Sequence, residues 1–218
     1  MGIDPDLFGT ALHFKARPRP RGRAILPAGF IRPCQSILAT KIPLGPEWIH
    51  EVKHDGYRLI CRRAPGNVKL WTRTATDWAT KFTAIREGIE ALPPGCVIDG
   101  EAVCDFPDGR NDFHSLFSKW GCARANLWAF DLLVINGEDI RSQPLEDRRA
   151  RLKALIDGVS PAIHFSGSFD GPEGQKVLDL ACGYFEGIVS KRLGSRYRSG
   201  PTDNWRKVKC KDYRRDTA

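Results

Sequence analysis

Three short strand-like runs, at 48–53, 57–63 and 68–73, are divided only by an Asp55-Gly56 turn signal and a Pro65-Gly66-Asn67 turn signal. Runs this short gain stability only inside a sheet, so this stretch constrains the fold more than any other. A helix is expected at 80–92, where Phe82, Ile85, Ile89 and Leu92 recur at helical spacing and Pro93-Pro94-Gly95 ends the run. A buried strand at 96–104 follows. A short amphipathic helix at 112–120 has Asp112 as its N-cap and Phe113, Leu116, Phe117 and Trp120 on one face. A strand at 127–135 ends at an Asn136-Gly137 turn, and a charged helix at 145–156 carries Leu152, Leu155 and Ile156 as its apolar stripe. Strands at 162–165, around 188 and at 205–211, with a helix at 174–184, complete the reading. The elements intersperse without a regular βαβ rhythm or an internal repeat. The expected class is α+β, with mainly antiparallel sheets flanked by helices.

Residues 1–29 do not fit that pattern. Arg17-Pro18-Arg19-Pro20-Arg21-Gly22-Arg23 is too polar and proline-rich to pack and reads as a flexible basic arm. The organisation expected is therefore this arm, one domain at 30–213 and a tail at 214–218. The 218 residues are enough to bury a real core. From Lys191 onward ten Lys/Arg face three Asp, a net of +7, which favours a polyanionic partner. Seven cysteines, an odd number lying far apart with no Cys-x-x-Cys pair, read as reduced thiols in small apolar sites of a cytoplasmic protein. No apolar run reaches the length of a membrane span, and no signal-peptide core is present, so no membrane partner is expected.

The chemistry gathers around Glu51-Val52-Lys53-His54-Asp55-Gly56-Tyr57-Arg58. Alternation puts Glu51 and Lys53 on one face of their strand. Standing alone, the octapeptide would read as a surface salt-bridge strand. Further on, Arg73 ends the third run, and Ile98-Asp99-Gly100-Glu101 places two carboxylates on one face of a buried strand, a costly arrangement unless they bind something. Phe130 stands in Phe130-Asp131-Leu132-Leu133, and Glu186-Gly187-Ile188-Val189-Ser190-Lys191 follows. Residues five apart point to opposite faces, so Glu186 and Lys191 share a site only if the strand bends, which Gly187 permits. In Trp205-Arg206-Lys207-Val208-Lys209, Lys207 and Lys209 share a face, and two ammoniums there suit a phosphate cluster.

This ordered set resembles the motifs of the ATP-dependent DNA ligases, within the covalent nucleotidyltransferase superfamily. It is similar to the ligase modules of bacterial end-joining enzymes over about residues 30–213. The resemblance implies a nucleotidyltransferase (ATP-grasp-like) adenylation domain that uses ATP and Mg²⁺ or Mn²⁺. It implies Lys53 as the nucleophile that takes up AMP, which requires a neutral amine and hence neighbouring cations or partial burial. Glu51 would read the adenine amine, Arg58 the ribose or phosphate side, and Arg73 the nucleotide and the 5′-phosphate. Glu101 would hold the ribose hydroxyls or a metal-bound water, Phe130 would stack on adenine, and Glu186 would be a metal ligand. Lys191 would meet the α-phosphate, and Lys207 and Lys209 the phosphate cluster. Where the end-joining modules usually read Asn-Gly after the arginine, this chain has Thr74-Ala75, which removes easy access to positive φ and puts the loop shape there in question.

The resemblance also implies nicked or broken duplex DNA as the partner, in DNA repair. Ligases carry an oligonucleotide-binding-fold domain after the last motif, and no such stretch follows Lys209 here. The expectation is that a separate oligonucleotide-binding-fold or end-joining protein supplies it, that the sequence is part of a longer protein, or that sealing is poor. Two other readings stand beside the ligase: an RNA ligase or GTP-using capping enzyme, and a non-catalytic accessory that binds DNA ends. Lys53 and the carboxylates argue against the accessory, since simple DNA binding does not require them.

Overall fold

The computed structural model describes residues 28–213. The arm expected at 1–29, apart from its last two residues, and the tail at 214–218 lie outside the described residues. Two β-sheets face each other. The first has the order β1 (Cys34–Leu38), β11 (Gly200–Lys209), β10 (Gly187–Arg192), β2 (Trp48–Lys53) and β9 (Phe169–Asp170). The second runs β4 (Asn67–Thr72), β3 (Tyr57–Ala64), β5 (Cys96–Val103), β6 (Asn126–Ile135) and β7 (Glu138–Asp139), with β8 (Ile163–Phe165) also on β6. Only the β1–β11 and β6–β8 pairings are parallel among the described residues. The α+β class with mainly antiparallel sheets is the observed one.

The central strands of the second sheet are apolar on both faces because both are covered. In β3, Leu59 and Cys61 point to a core shared with the helices, whereas Ile60 points to a core between the sheets. That inter-sheet core includes Ile49 and Trp205 from one sheet and Ile60, Trp71, Val97 and Phe130 from the other. Each such side chain contributes about 1.5–3 kcal/mol by leaving water. On the outer face, α1 (Thr83–Glu90) lies in the predicted helix, and Phe82, Ile85, Ile89 and Leu92 are all buried. Helix α4 (Gly174–Ala181) covers the outside of the first sheet with Val177 and Ala181 against Ile188 and Val208.

Helix α3 (Leu145–Ile156) matches its sequence bounds but differs in which residues it buries. Arg148 is fully buried and forms a two-pronged pair with Asp131, also fully buried, with both N···O distances 2.8 Å. Breaking one partner of such a pair costs roughly 3–5 kcal/mol, so this contact locks α3 to β6.

Two further expectations are corrected, and one strand falls where none was expected. The single helix at 112–120 is instead a 3₁₀ turn at His114–Phe117 and a separate α2 (Lys119–Arg124). Ser118 breaks them apart, because its extended backbone frees its hydroxyl to accept from the Gly121 amide at 2.9 Å. The break turns Phe117 and Trp120 outward, 64% and 68% exposed, while Leu116 stays in the core. Strand β1 lies in a proline- and glycine-punctuated stretch with no alternation signal, and its partner is the distant β11. Finally, not all cysteines are free: Cys182 and Cys210 form a disulfide. The antiparallel β10–β11 pairing sets Gly187 opposite Lys209 and so brings the end of α4 to the residue after β11. The other five are free thiols, and burial pushes Cys34 up to about 12.

Candidate active site

Strand register builds one face of a cleft. Gly187 lies opposite both Lys53 and Lys209, Val189 opposite Glu51 and Lys207, and Lys191 opposite Ile49 and Trp205. Directly opposed residues in an antiparallel pair share a face. Glu51, Lys53, Lys191, Lys207 and Lys209 therefore converge, although up to 158 positions separate them. Glu186 joins them through Gly187, whose φ of 148° breaks the alternation; a Cβ at Gly187 would meet the Val208 carbonyl oxygen at 2.1 Å. The bend that the sequence required is present.

At one end of the cleft Lys53 donates to Glu186 Oε2, while Lys209 Nζ lies 2.5 Å from Glu186 Oε1. Burial would raise the Glu186 carboxyl, but Lys53 and Lys209 outweigh it and hold the group below its ordinary value. Lys207, half-buried, is lowered by burial and then by the Lys53 and Lys209 charges, with exposed Arg73 close enough to add to the effect. Three lysines thus gather around one buried carboxylate, with Arg73 close to Lys207. Such a cluster is electrostatically incomplete and calls for further anionic charge.

The opposite wall comes from the second sheet. Arg58 grips Asp99 with two bonds, at 2.5 and 2.7 Å, and Asp99 also accepts from the Tyr197 hydroxyl at 2.6 Å. Asp99 is thereby fully committed, which answers the cost of placing two carboxylates on this strand. Glu101, the other one, lines the cavity; burial pushes it up to about 7 against the pull of Arg58 and Lys53. Phe130 is buried, with the Arg58 guanidinium 4.5 Å and the Lys191 ammonium 4.4 Å from its ring centre. A half-open cavity of about 80 Å³ is lined by Glu51, Lys53, Arg58, Glu101, Phe130 and Lys191, together with Val52, Val189 and Trp205.

Lys191, expected at the α-phosphate, stands in the cleft beside Glu51. Its fully buried ammonium lies 2.7 Å from Glu51 Oε1 and 4.2 Å from the Trp205 ring, at the end of the cleft away from Glu186. Period-two spacing carries it two steps along β10 from the row that holds Lys53. Burial lowers its pKa, and Glu51 opposes that shift.

Two residues at the site were not singled out in the sequence. Arg149, on α3, sends Nη1 to Glu51 Oε1 at 2.6 Å and Nη2 to the Ser166 carbonyl at 2.8 Å. His54, beside the nucleophile candidate, is buried and stacked on Trp128 at 4.7 Å, and burial followed by the Lys53 charge lowers it to about 3. Its motif position carried a signal; Arg149 carried none beyond its place in a charged helix. At the Thr74-Ala75 departure, Ala75 itself adopts φ 64°, so the left-handed turn persists without glycine. In the motif turn, Gly56 is required by packing, since a Cβ would meet the Ala102 carbonyl oxygen at 2.1 Å.

Two facing antiparallel sheets with a lysine-centred cationic cleft between them define a nucleotidyltransferase-type fold. Residues 32–209 match the model of the ATP dependent DNA ligase domain, and the chain belongs to that family. It is 37% identical over 212 residues to the multifunctional non-homologous end joining protein LigD of Pseudomonas aeruginosa, covering 93% of this chain and 25% of that protein. LigD of Mycobacterium tuberculosis is 32% identical over 158 residues, 71% of this chain and 20% of that one. The chain thus spans about a quarter or less of the length of these relatives. Among solved structures, the ligase domain of M. tuberculosis LigD superposes with a TM-score of 0.71 at 28% identity, covering 81% of this chain and 58% of that one. Mycobacterial DNA ligase D complexed with ATP and MES gives 0.68 at 28% identity, with 81% and 59% covered. The Chlorella virus DNA ligase-adenylate shares the fold, with a TM-score of 0.60 at 18% identity over 82% of this chain and 69% of that one.

Proposed function

We propose that this chain is the adenylating core of an ATP-dependent DNA ligase that serves end-joining repair at nicked or broken duplex DNA in the bacterial cytoplasm. One observation carries the reading: Lys53, 21% exposed and so reachable, sits in a cluster of Glu186, Lys207 and Lys209, one strand step from a buried acceptor, Glu51. Lys53 and Glu51 are separated by roughly 7 Å along β2, the scale of a nucleoside. In this reading the Lys53 amine attacks the α-phosphorus of ATP; the new P–N bond forms, the bond to pyrophosphate breaks and the amine loses its proton. Lys207, Lys209 and Arg73 draw off the charge that develops on phosphate. Glu51 and Phe130 hold the base, Arg58 and Glu101 face the sugar, and Lys191 sits with Glu51 at the base end. AMP then passes to a DNA 5′-phosphate, and the adjoining 3′-hydroxyl displaces it.

The residues present also suit a partly hydrated divalent cation. No three metal-ligating side chains gather among the described residues, so no closed cage is offered. Mg²⁺ commonly binds through one or two carboxylates plus phosphate oxygens. Glu186, already gathering cations, and Glu101, whose raised pKa reflects a charge poorly met, would hold such an ion, which supplies charge neutralisation at the α-phosphate.

The test is intact mass after incubation with ATP and Mg²⁺. A gain of one AMP, removed by acid and not by base as a phosphoramidate requires, supports the reading. Charging by GTP alone would point to a capping-type enzyme. No charging by any nucleotide, with tight DNA-end binding, would leave a non-catalytic accessory.

A further inference from the structure

We infer that Arg149 is the positioning residue that gives the cleft its preference for adenine, by fixing Glu51 as an acceptor for the 6-amino group. The inference rests on the reading of Glu51 given above and adds a residue from outside the motif strands. Arg149 is 5% exposed, and its guanidinium touches three walls at once. It donates to Glu51 Oε1 on β2 at 2.6 Å, to the Phe130 carbonyl on β6 at 3.2 Å and to the Ser166 carbonyl beyond β8 at 2.8 Å. A planar guanidinium with donors in a fixed fork is suited to such a task, and a lysine is not. Its root is fixed as well, because the neighbouring Arg148 locks α3 to Asp131.

The arrangement leaves Glu51 in a particular state. Oε1 is shared by Arg149 and by Lys191 at 2.7 Å, so two basic side chains meet one oxygen of the carboxylate in a buried place. Among the described residues, Oε2 receives only the Ser166 hydroxyl, at 3.3 Å. A carboxylate accepts about four hydrogen bonds and donates none, so Oε2 keeps spare acceptor capacity. Glu51 lines the cavity beside Phe130. A purine with an amino group at C6 supplies a donor to that oxygen; a 6-oxopurine presents lone pairs to it and is repelled. Without Arg149 the carboxylate would rotate toward Lys191 and the acceptor would lose its aim.

Dissociation constants for ATP, GTP and purine riboside triphosphate, which lacks any 6-substituent, test this in a Lys53→Ala background so that no covalent step intrudes. The parent should favour ATP over purine riboside triphosphate by about 10–100-fold, the range of one hydrogen bond to a charged group. Arg149→Gln should bring that ratio close to one and admit GTP, while affinity for purine riboside triphosphate changes little. Arg149→Lys, which keeps the charge and loses the fork, should recover only part of the ratio; it also decides the matter if the glutamine variant does not fold. An unchanged ratio in either folded variant, or equal loss of all three ligands, overturns the inference. Failure of the folded parent to bind any of the triphosphates would instead sink the adenylation reading itself.

Discussion

His54 predicts a measurable acid sensitivity of the fold. Its imidazole is buried against Trp128 and Phe185, and burial, reinforced by the Lys53 charge and opposed by Asn111, lowers its pKa to about 3 from 6.5. Above pH 6.5 the ring is neutral whether the chain is folded or unfolded and contributes no pH dependence. Below that, the unfolded chain binds a proton that the folded chain refuses. Stability therefore falls as pH drops through the window from about 6.5 to 3, with a slope from this group of roughly 1.4 kcal/mol per pH unit. Over the whole window that amounts to about 4–5 kcal/mol, a large share of a typical domain's stability. His54→Phe keeps an aromatic ring for the stack and removes the titration. Urea denaturation at half-unit steps between pH 4 and 6.5 should give a shallower line for the variant by about that slope. His50, also lowered by burial, is present in both proteins and cancels. Parallel lines would show that His54 takes its proton in the folded state and that the buried stack is wrongly assigned.

Three other outcomes follow from particular contacts. Replacing both Cys182 and Cys210 by serine opens a loop of 28-residue separation and should cost about 3.5 kcal/mol in a denaturant titration, a loss that thiol reductant alone should reproduce in the parent. Ala75→Gly should stabilise the protein by about 1 kcal/mol, since φ 64° penalises a Cβ; an equal or lower melting midpoint would contradict it. Glu186→Ala should slow covalent AMP attachment by about 100-fold while ATP affinity changes far less, read as the initial rate of mass gain against a direct binding titration. Parallel loss of both would make Glu186 a structural group.

The sequence carried the strands of the site because their signals are local. Alternation placed Glu51 with Lys53 and Lys207 with Lys209, and the β2–β10–β11 register puts each of these on the cleft face. Helix α1 was equally legible, since Phe82, Ile85, Ile89 and Leu92 all reach the core. What the pattern could not show is where a polar residue is buried because a distant partner meets it. Arg148 and Arg149 lie outside the apolar stripe predicted for α3, yet Asp131 and Glu51 draw both inward. The same holds for the Cys182–Cys210 pairing, which depends on β10 lying against β11, and for β1, whose partner is more than 160 residues away. Lys191 shows the limit of motif spacing: its place in the series was found, but its charge is settled by Glu51. At Ser118 a local hydroxyl bond overrode an apolar pattern that suggested one continuous helix.

The central claim is that Lys53 is the atom-bearing nucleophile. The direct measurement is peptide mapping of the protein after incubation with ATP and Mg²⁺, alongside Lys53→Ala under the same conditions. The account predicts AMP on the peptide that contains Lys53 and on no other, and a folded variant that gains no mass. AMP on a different residue, or an undiminished mass gain in Lys53→Ala, would contradict it.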